Sequence, residues 1–282
     1  MALFRAIETG RSRNKRLFDD TRAAMFLDRE LKLVAGMSSV PVIGRIVPLI
    51  IQKIAPGALS SGIARTKYID DLLHEAVIQG VRQVVILGAG FDTRAERLDF
   101  LKNIPVIEID HPDTARFKIS VLEKAGTLKK NVIYCQIDFN KKALDGASIA
   151  GKINFDAPTA VVWEGVTNYL NEESVDKIFA FLGHFSGQTY VILTYIDRAV
   201  IDDPDNFHGI GRLSKKLNEA QEGWSFGFRP AELSAYLKKF KLVLLEDLSA
   251  VEYRRRYMPE RKSILTGYEF YRVAFARNER RH

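Results

Sequence analysis

Five apolar runs punctuate the chain from residue 84 onward, and their spacing constrains the fold more than any other feature. They are VVILG (84–88), PVIEID (105–110), VIYCQID (132–138), TAVVWE (159–164) and TYVILTY (189–195). Continuous apolar runs of this length suit strands buried on both faces, as a parallel sheet requires. Helix-forming stretches separate them, from Pro112 to Gly126 and from about Asn171, where Glu172 and Glu173 suit the positive end of a helix dipole. Strand-helix alternation with right-handed crossovers predicts a doubly wound α/β sheet. A helix from Pro230, then KLVLLED (241–247) and FYRVAFAR (270–277), bring the strands to seven. The last two, joined without an obvious helix, are expected to form an antiparallel hairpin at one edge, in a sheet that is otherwise mostly parallel.

Upstream, LFDDTRAAMFLDRELKLVA (17–35) spaces apolar residues on a helical face, and SGIARTKYIDDLLHEAVIQG (61–80) reads as a helix capped by Ser60 or Ser61 and stopped by Gly80. The Pro- and Gly-punctuated stretch 36–62 is expected to interrupt regular structure. Within it, residues 40–59 are apolar but broken by Arg45, Lys53 and three prolines, which argues against a spanning helix. Lysine and arginine are too few in that stretch to favour contact with a membrane surface.

The chain has 282 residues and a net charge of +7. The charge sits at the ends, net +3 over residues 1–32 and +5 over 251–282, which leaves no basic stripe across the middle. A nucleic-acid partner is therefore not expected. A single cysteine, Cys135, excludes an intrachain disulfide, and with no secretory signal the expected location is cytoplasmic. Five histidines form no ligand-spaced motif, so no metal is expected.

Open α/β sheets bind ligands at the carboxyl ends of their strands. The first tip reads LGAGFDTR (87–94), where Gly88 and Gly90 permit a tight turn. The third glycine of a dinucleotide fingerprint is replaced by Thr93, and Asp92 is an acid where a pyrophosphate needs positive potential. Glu108 and Asp110 follow on one face of the second strand, with Asp110 nearer the tip and able to accept hydrogen bonds from two ribose hydroxyls. Asp138-Phe139 and Glu164-Gly165 end the third and fourth strands. Together they outline a nucleoside pocket without a phosphate.

In these segments the chain resembles the leucine carboxyl methyltransferase-like branch of the class I S-adenosylmethionine-dependent methyltransferases. The resemblance is carried by ARTKYID (64–70), VVILGAGFDTR (84–94), VIEIDHP (106–112), QIDF (136–139), WEGVTNYL (163–170) and TYID (194–197). It implies a Rossmann-like fold and S-adenosylmethionine as cofactor. It further implies that Arg65 holds the methionyl carboxylate, Gly88 and Gly90 pass beneath the cofactor, Asp110 binds ribose, Asp138 and Phe139 meet adenine, and Glu164 lies near the methionyl amine or the sulfonium. Arg5 is the nearest basic residue to a lysine that eukaryotic members place at the cofactor. The expected organisation is an N-terminal helical cap or lid over 1–62 and a catalytic domain over 63–282, with the apolar stretch 40–59 and the segment 198–228 the lid elements that composition suggests.

The implied reaction is in-line methyl transfer, most naturally to a carboxylate or hydroxyl oxygen of a small, hydrophobic acceptor. A hydroxyl acceptor needs a base, for which Tyr195, Asp197 and His208 are the candidates. Two other readings stand beside it: a cofactor-binding protein without turnover, and a nucleotide-dependent reductase.

Overall fold

The computed structural model describes residues 1–40, 43–138, 149, 151–208, 210, 223–259 and 266–279. Seven strands form one sheet: β1 (Gln83–Leu87), β2 (Val106–Asp110), β3 (Val132–Gln136), β4 (Thr159–Trp163), β5 (Thr189–Ile196), β6 (Leu242–Ser249) and β7 (Tyr271–Asn278). Their order is β3-β2-β1-β4-β5-β7-β6. The first five run parallel, with Val85 in register with Ile107 of β2 and Val161 of β4. β7 is antiparallel to both of its neighbours.

Ten α-helices of four or more residues lie among the described residues: α1 (Ala2–Thr9), α2 (Arg29–Met37), α3 (Ile43–Ile54), α4 (Ala58–Ile78), α5 (Arg94–Arg97), α6 (Pro112–Lys124), α7 (Glu172–Leu182), α8 (Ala199–Asp202), α9 (Pro230–Lys239) and α10 (Ala250–Tyr257). All five residues of β1 are buried, because each face of the sheet is covered. On one face Val84 and Ile86 join a core with Ile69 and Leu73 of α4 and Tyr253 of α10. On the other, Val85, Leu87 and Trp163 pack with Phe179 of α7. Asn171 caps α7 by accepting from the Ser174 amide at 2.8 Å.

Three expectations change. Residues 17–22 are not helical; a short 3-10 turn (Ala23–Phe26) precedes α2. Asp20 explains the break: its carboxylate accepts from the Ala23 amide and from Arg5 Nε, which holds the chain in a turn. The stretch 36–62 is largely helical, since α3 tolerates Pro48 inside it and α4 begins at Ala58 after Gly57 in the left-handed region. The expected boundary after residue 62 therefore falls inside α4. Finally, β6 and β7 are not a plain hairpin. α10 connects them, opened by a capping box in which Ser249 and Glu252 satisfy each other's backbone amides.

Among the described residues no single helix is long and apolar enough to cross a membrane.

Candidate active site at the strand tips

The turn after β1 is built by two glycines in the left-handed region, Gly88 (φ +63°) and Gly90 (φ +49°). A Cβ on Gly88 would stand 2.3 Å from Val166 Cγ2, so the strand-tip turn and the loop after β4 meet there without room for a side chain. The Gly90 amide donates to the Asp110 carboxylate, and the His111 amide donates to the other oxygen of Asp110 at 2.6 Å. Asp110 thus fastens the first tip to the second.

A cavity of about 230 Å³ opens above this turn. Gly88, Gly90, Arg65, Glu164, Arg5 and Asp92 all line it. A second cavity of about 220 Å³ adjoins the first, with Arg65 and Gly165 in both walls. Its other walls are largely aromatic, including Phe4, Tyr169, Trp224, Tyr268 and Tyr271. Tyr268 holds φ +62°, unusual for a bulky residue and a strain that a packed site sustains. Asn168 also faces this cavity, and its Oδ1 is buried without a hydrogen-bond partner among the described residues.

Glu164 sits between two guanidinium groups. Arg65 Nε donates to Oε1 at 2.9 Å and Arg94 Nη2 lies 2.9 Å from Oε2. Burial pushes the Glu164 carboxyl up, but Arg94 and Arg65 outweigh it and hold it below the usual range. Arg65 also lies 4.4 Å over the Tyr271 ring. Arg94 bonds Asp70 at 2.8 Å and pairs with Asp92, whose carboxyl burial would raise but the facing Arg94 brings down to about 2. Arg97 joins Asp70 to the same lattice at 2.7 Å. Beyond it, Asp20 takes Arg5 Nε at 2.7 Å and the Thr93 hydroxyl at 2.6 Å.

Four of the residues singled out from the sequence, Arg65, Gly88, Gly90 and Glu164, therefore meet at one cavity. Asp110 touches it through Gly90. Asp138 lies past the end of β3, with its Oδ2 3.5 Å from His111 Nε2, and Phe139 falls outside the described residues. Glu108 is not at the tip chemistry; it is buried against Lys118 at 2.6 Å. Tyr195 lines neither cavity, and its hydroxyl donates to Asp247 at 2.7 Å while accepting from Arg272. His208 is exposed, and Asp197 Oδ1 accepts from the Ala199 amide just before α8 at 3.0 Å. Of the lid segment, Phe226 and Phe228 are buried, while residues 209 and 211–222 lie outside the described residues.

Sequence reasoning missed Arg94. The signal was present in Asp92-Thr93-Arg94, but its partners Asp70 and Glu164 lie far away in sequence.

A family model for leucine carboxyl methyltransferase matches residues 1–183. A Streptomyces coelicolor protein named "Putative S-adenosyl-L-methionine-dependent methyltransferase" is 36% identical over 148 residues, covering 50% of each chain. A Mycobacterium avium protein of the same name is 34% identical over 184 residues, covering 64% of this chain and 58% of its own. The matched segment thus spans only about half the length of these curated relatives. Among solved structures, a DUF574 family protein of Streptomyces avermitilis shares the fold with a TM-score of 0.59 at 15% identity, covering 97% of this chain and 100% of that one. The seven-stranded sheet with its antiparallel edge defines a methyltransferase-type α/β fold. The chain belongs to the leucine carboxyl methyltransferase family.

Proposed function

We propose that the protein is an S-adenosylmethionine-dependent methyltransferase that methylates a carboxylate or hydroxyl oxygen of a small, apolar acceptor. The observation that carries this reading is the Arg65–Glu164 pair in the cavity above the Gly88 turn. An α-amino acid end presents a carboxylate and an ammonium, and this pair offers one complementary charge for each. The names of the relatives support the same cofactor.

The residues present fit the cofactor in three respects. Gly90 leaves a close backbone approach open, Asp110 stands one turn away with carboxylate oxygens for ribose hydroxyls, and Glu164 brings negative charge to a cationic ligand. S-adenosylmethionine, when bound, supplies a methyl group on a sulfonium sulfur. The protein's part is to hold, orient and exclude water. Arg65 would fix the amino-acid end, and the adjoining aromatic cavity would seat the acceptor, with Asn168 the polar group within it. Asp138 and Phe139 are assigned to the adenine end on the family pattern. Residues 1–62 would then act as the cap, and 198–228 as the lid.

A nucleotide-dependent reductase fits less well. Asp92 Oδ1 accepts from the Arg94 amide at 2.7 Å, so the start of α5 is capped by the chain's own carboxylate instead of being open to a pyrophosphate. Calorimetric titration with S-adenosylmethionine and, separately, NADH tests the reading. Micromolar binding of the first and none of the second is expected; binding of NADH alone overturns it.

A further inference from the structure

The described residues expose fifteen large hydrophobic side chains, and eight of them lie between Leu31 and Ile54. The concentration has a helical cause. Val47 of α3 is buried in a core with Leu59 and Ile63 of α4, which fixes that side of the helix inward. Ile46, Leu49, Ile50 and Ile54, spaced by three, one and four, then share the outward side. They are 47%, 59%, 53% and 68% exposed. Leu33 and Met37 of α2 add a second row, 63% and 46% exposed. A patch of this kind is uncommon on an isolated soluble surface.

Its charge decides the occupant. No Asp or Glu occurs between Glu30 and Asp70, while Lys32 and Lys53 stand exposed beside the apolar rows. Residues 11–16, RSRNKR, carry four cations; Arg11 pairs with Glu8 and Arg16 with Asp19, while Arg13 and Lys15 are exposed. Distant in sequence, this run is adjacent in space. A cavity of about 500 Å³ is walled by Arg11 and Lys15 on one side and by Val40, Pro48 and Leu49 on the other. The sequence of 40–59 alone holds too few cations for a membrane contact; the fold brings the missing ones to its border.

We infer that α3, with α2 and the 11–16 loop, docks on a lipid surface bearing anionic headgroups. The apolar row enters the headgroup–acyl boundary and the basic run pairs with the headgroups, as amphipathic interfacial helices do. A second copy of this chain is a poorer occupant, because self-association across this face would bring its basic border near another. The inference does not rest on the methyltransferase reading.

Co-sedimentation of the full chain with phosphatidylcholine vesicles, with and without phosphatidylglycerol, tests it. Binding to the phosphatidylglycerol vesicles, weakened by salt, is expected. Leu49→Glu with Ile50→Glu should lower the bound fraction by about tenfold or more, and Arg13→Glu should lower it several-fold. Because these side chains are exposed, the variants should keep the parent's melting temperature, which confirms that lost binding is not lost folding. No sedimentation with either vesicle overturns the inference. So does binding to vesicles that the Leu49→Glu, Ile50→Glu pair leaves intact. A dimer in sedimentation equilibrium that this pair dissociates, without vesicle binding, assigns the face to a second copy instead.

Discussion

Arg65 and Glu164 stand 2.9 Å apart in the wall of the strand-tip cavity, and among the described residues Glu164 is the one carboxylate paired with Arg65. Arg94 has three carboxylates, so it stays neutralised whatever enters the cavity. Among the described residues, Arg65 and Arg5, which pairs with Asp20, are therefore the cavity guanidiniums with a single carboxylate each, and the proposed reading assigns the ligand carboxylate to Arg65. Arg65→Ala should weaken S-adenosylmethionine by about 1.5–3 kcal/mol while barely altering adenosine. Calorimetry with both ligands checks this, and equal losses would point to a folding defect.

Asp110 serves the turn and, on the proposed reading, the ribose. Asp110→Ala should lower cofactor affinity by roughly 10- to 1,000-fold, water replacing part of the lost bonds. Unchanged affinity in a folded variant would refute the ribose assignment.

Gly88 carries two constraints that can be separated. Gly88→Ala should destabilise the fold and reduce cofactor binding, since its φ alone costs about 1–2 kcal/mol for a residue with a Cβ. Adding Val166→Ala removes the 2.3 Å contact and should recover part of the stability. Thermal melting of the two variants gives the comparison; no recovery would place the whole cost in the backbone.

Asp92 links the network to pH. Its folded-state carboxyl lies at about 2 against an ordinary 3.8, so it binds a proton less readily when folded. The stabilisation is present above pH ~4 and is lost as pH falls toward 2, amounting to roughly 2 kcal/mol for this group. Urea unfolding from pH 5 downward should show a steep acid limb that Asp92→Asn flattens. Parallel curves for the two proteins would reject the linkage.

The strands were legible because burial on both faces writes them as unbroken apolar runs; β1, β4 and β5 need no long-range information. α10 was not, since AVEYRRRY reads as a polar segment. Its Arg254 is buried, with Nε and Nη1 donating to the Ala250 and Gly267 carbonyls at 2.8 and 2.7 Å. α3 was hidden by Pro48, which marks a break in most helices. At the site, the glycines and the tip acids were readable one strand at a time. The ion lattice was not, because Asp20, Asp70, Arg94 and Glu164 come from four separate segments and acquire meaning only when the sheet gathers them.

The placement of β7 between β5 and β6 bears on how the molecule is made. The strand that fills this slot is the last of the seven to leave the ribosome, and it pairs with β5 from Tyr190 to Ile196. Until residues 271–278 emerge, β5 offers an open, apolar hydrogen-bonding edge, the kind that other chains can pair with. Closure of the sheet must then follow synthesis of all seven strands. Truncation before β7 should yield aggregated protein in the cell.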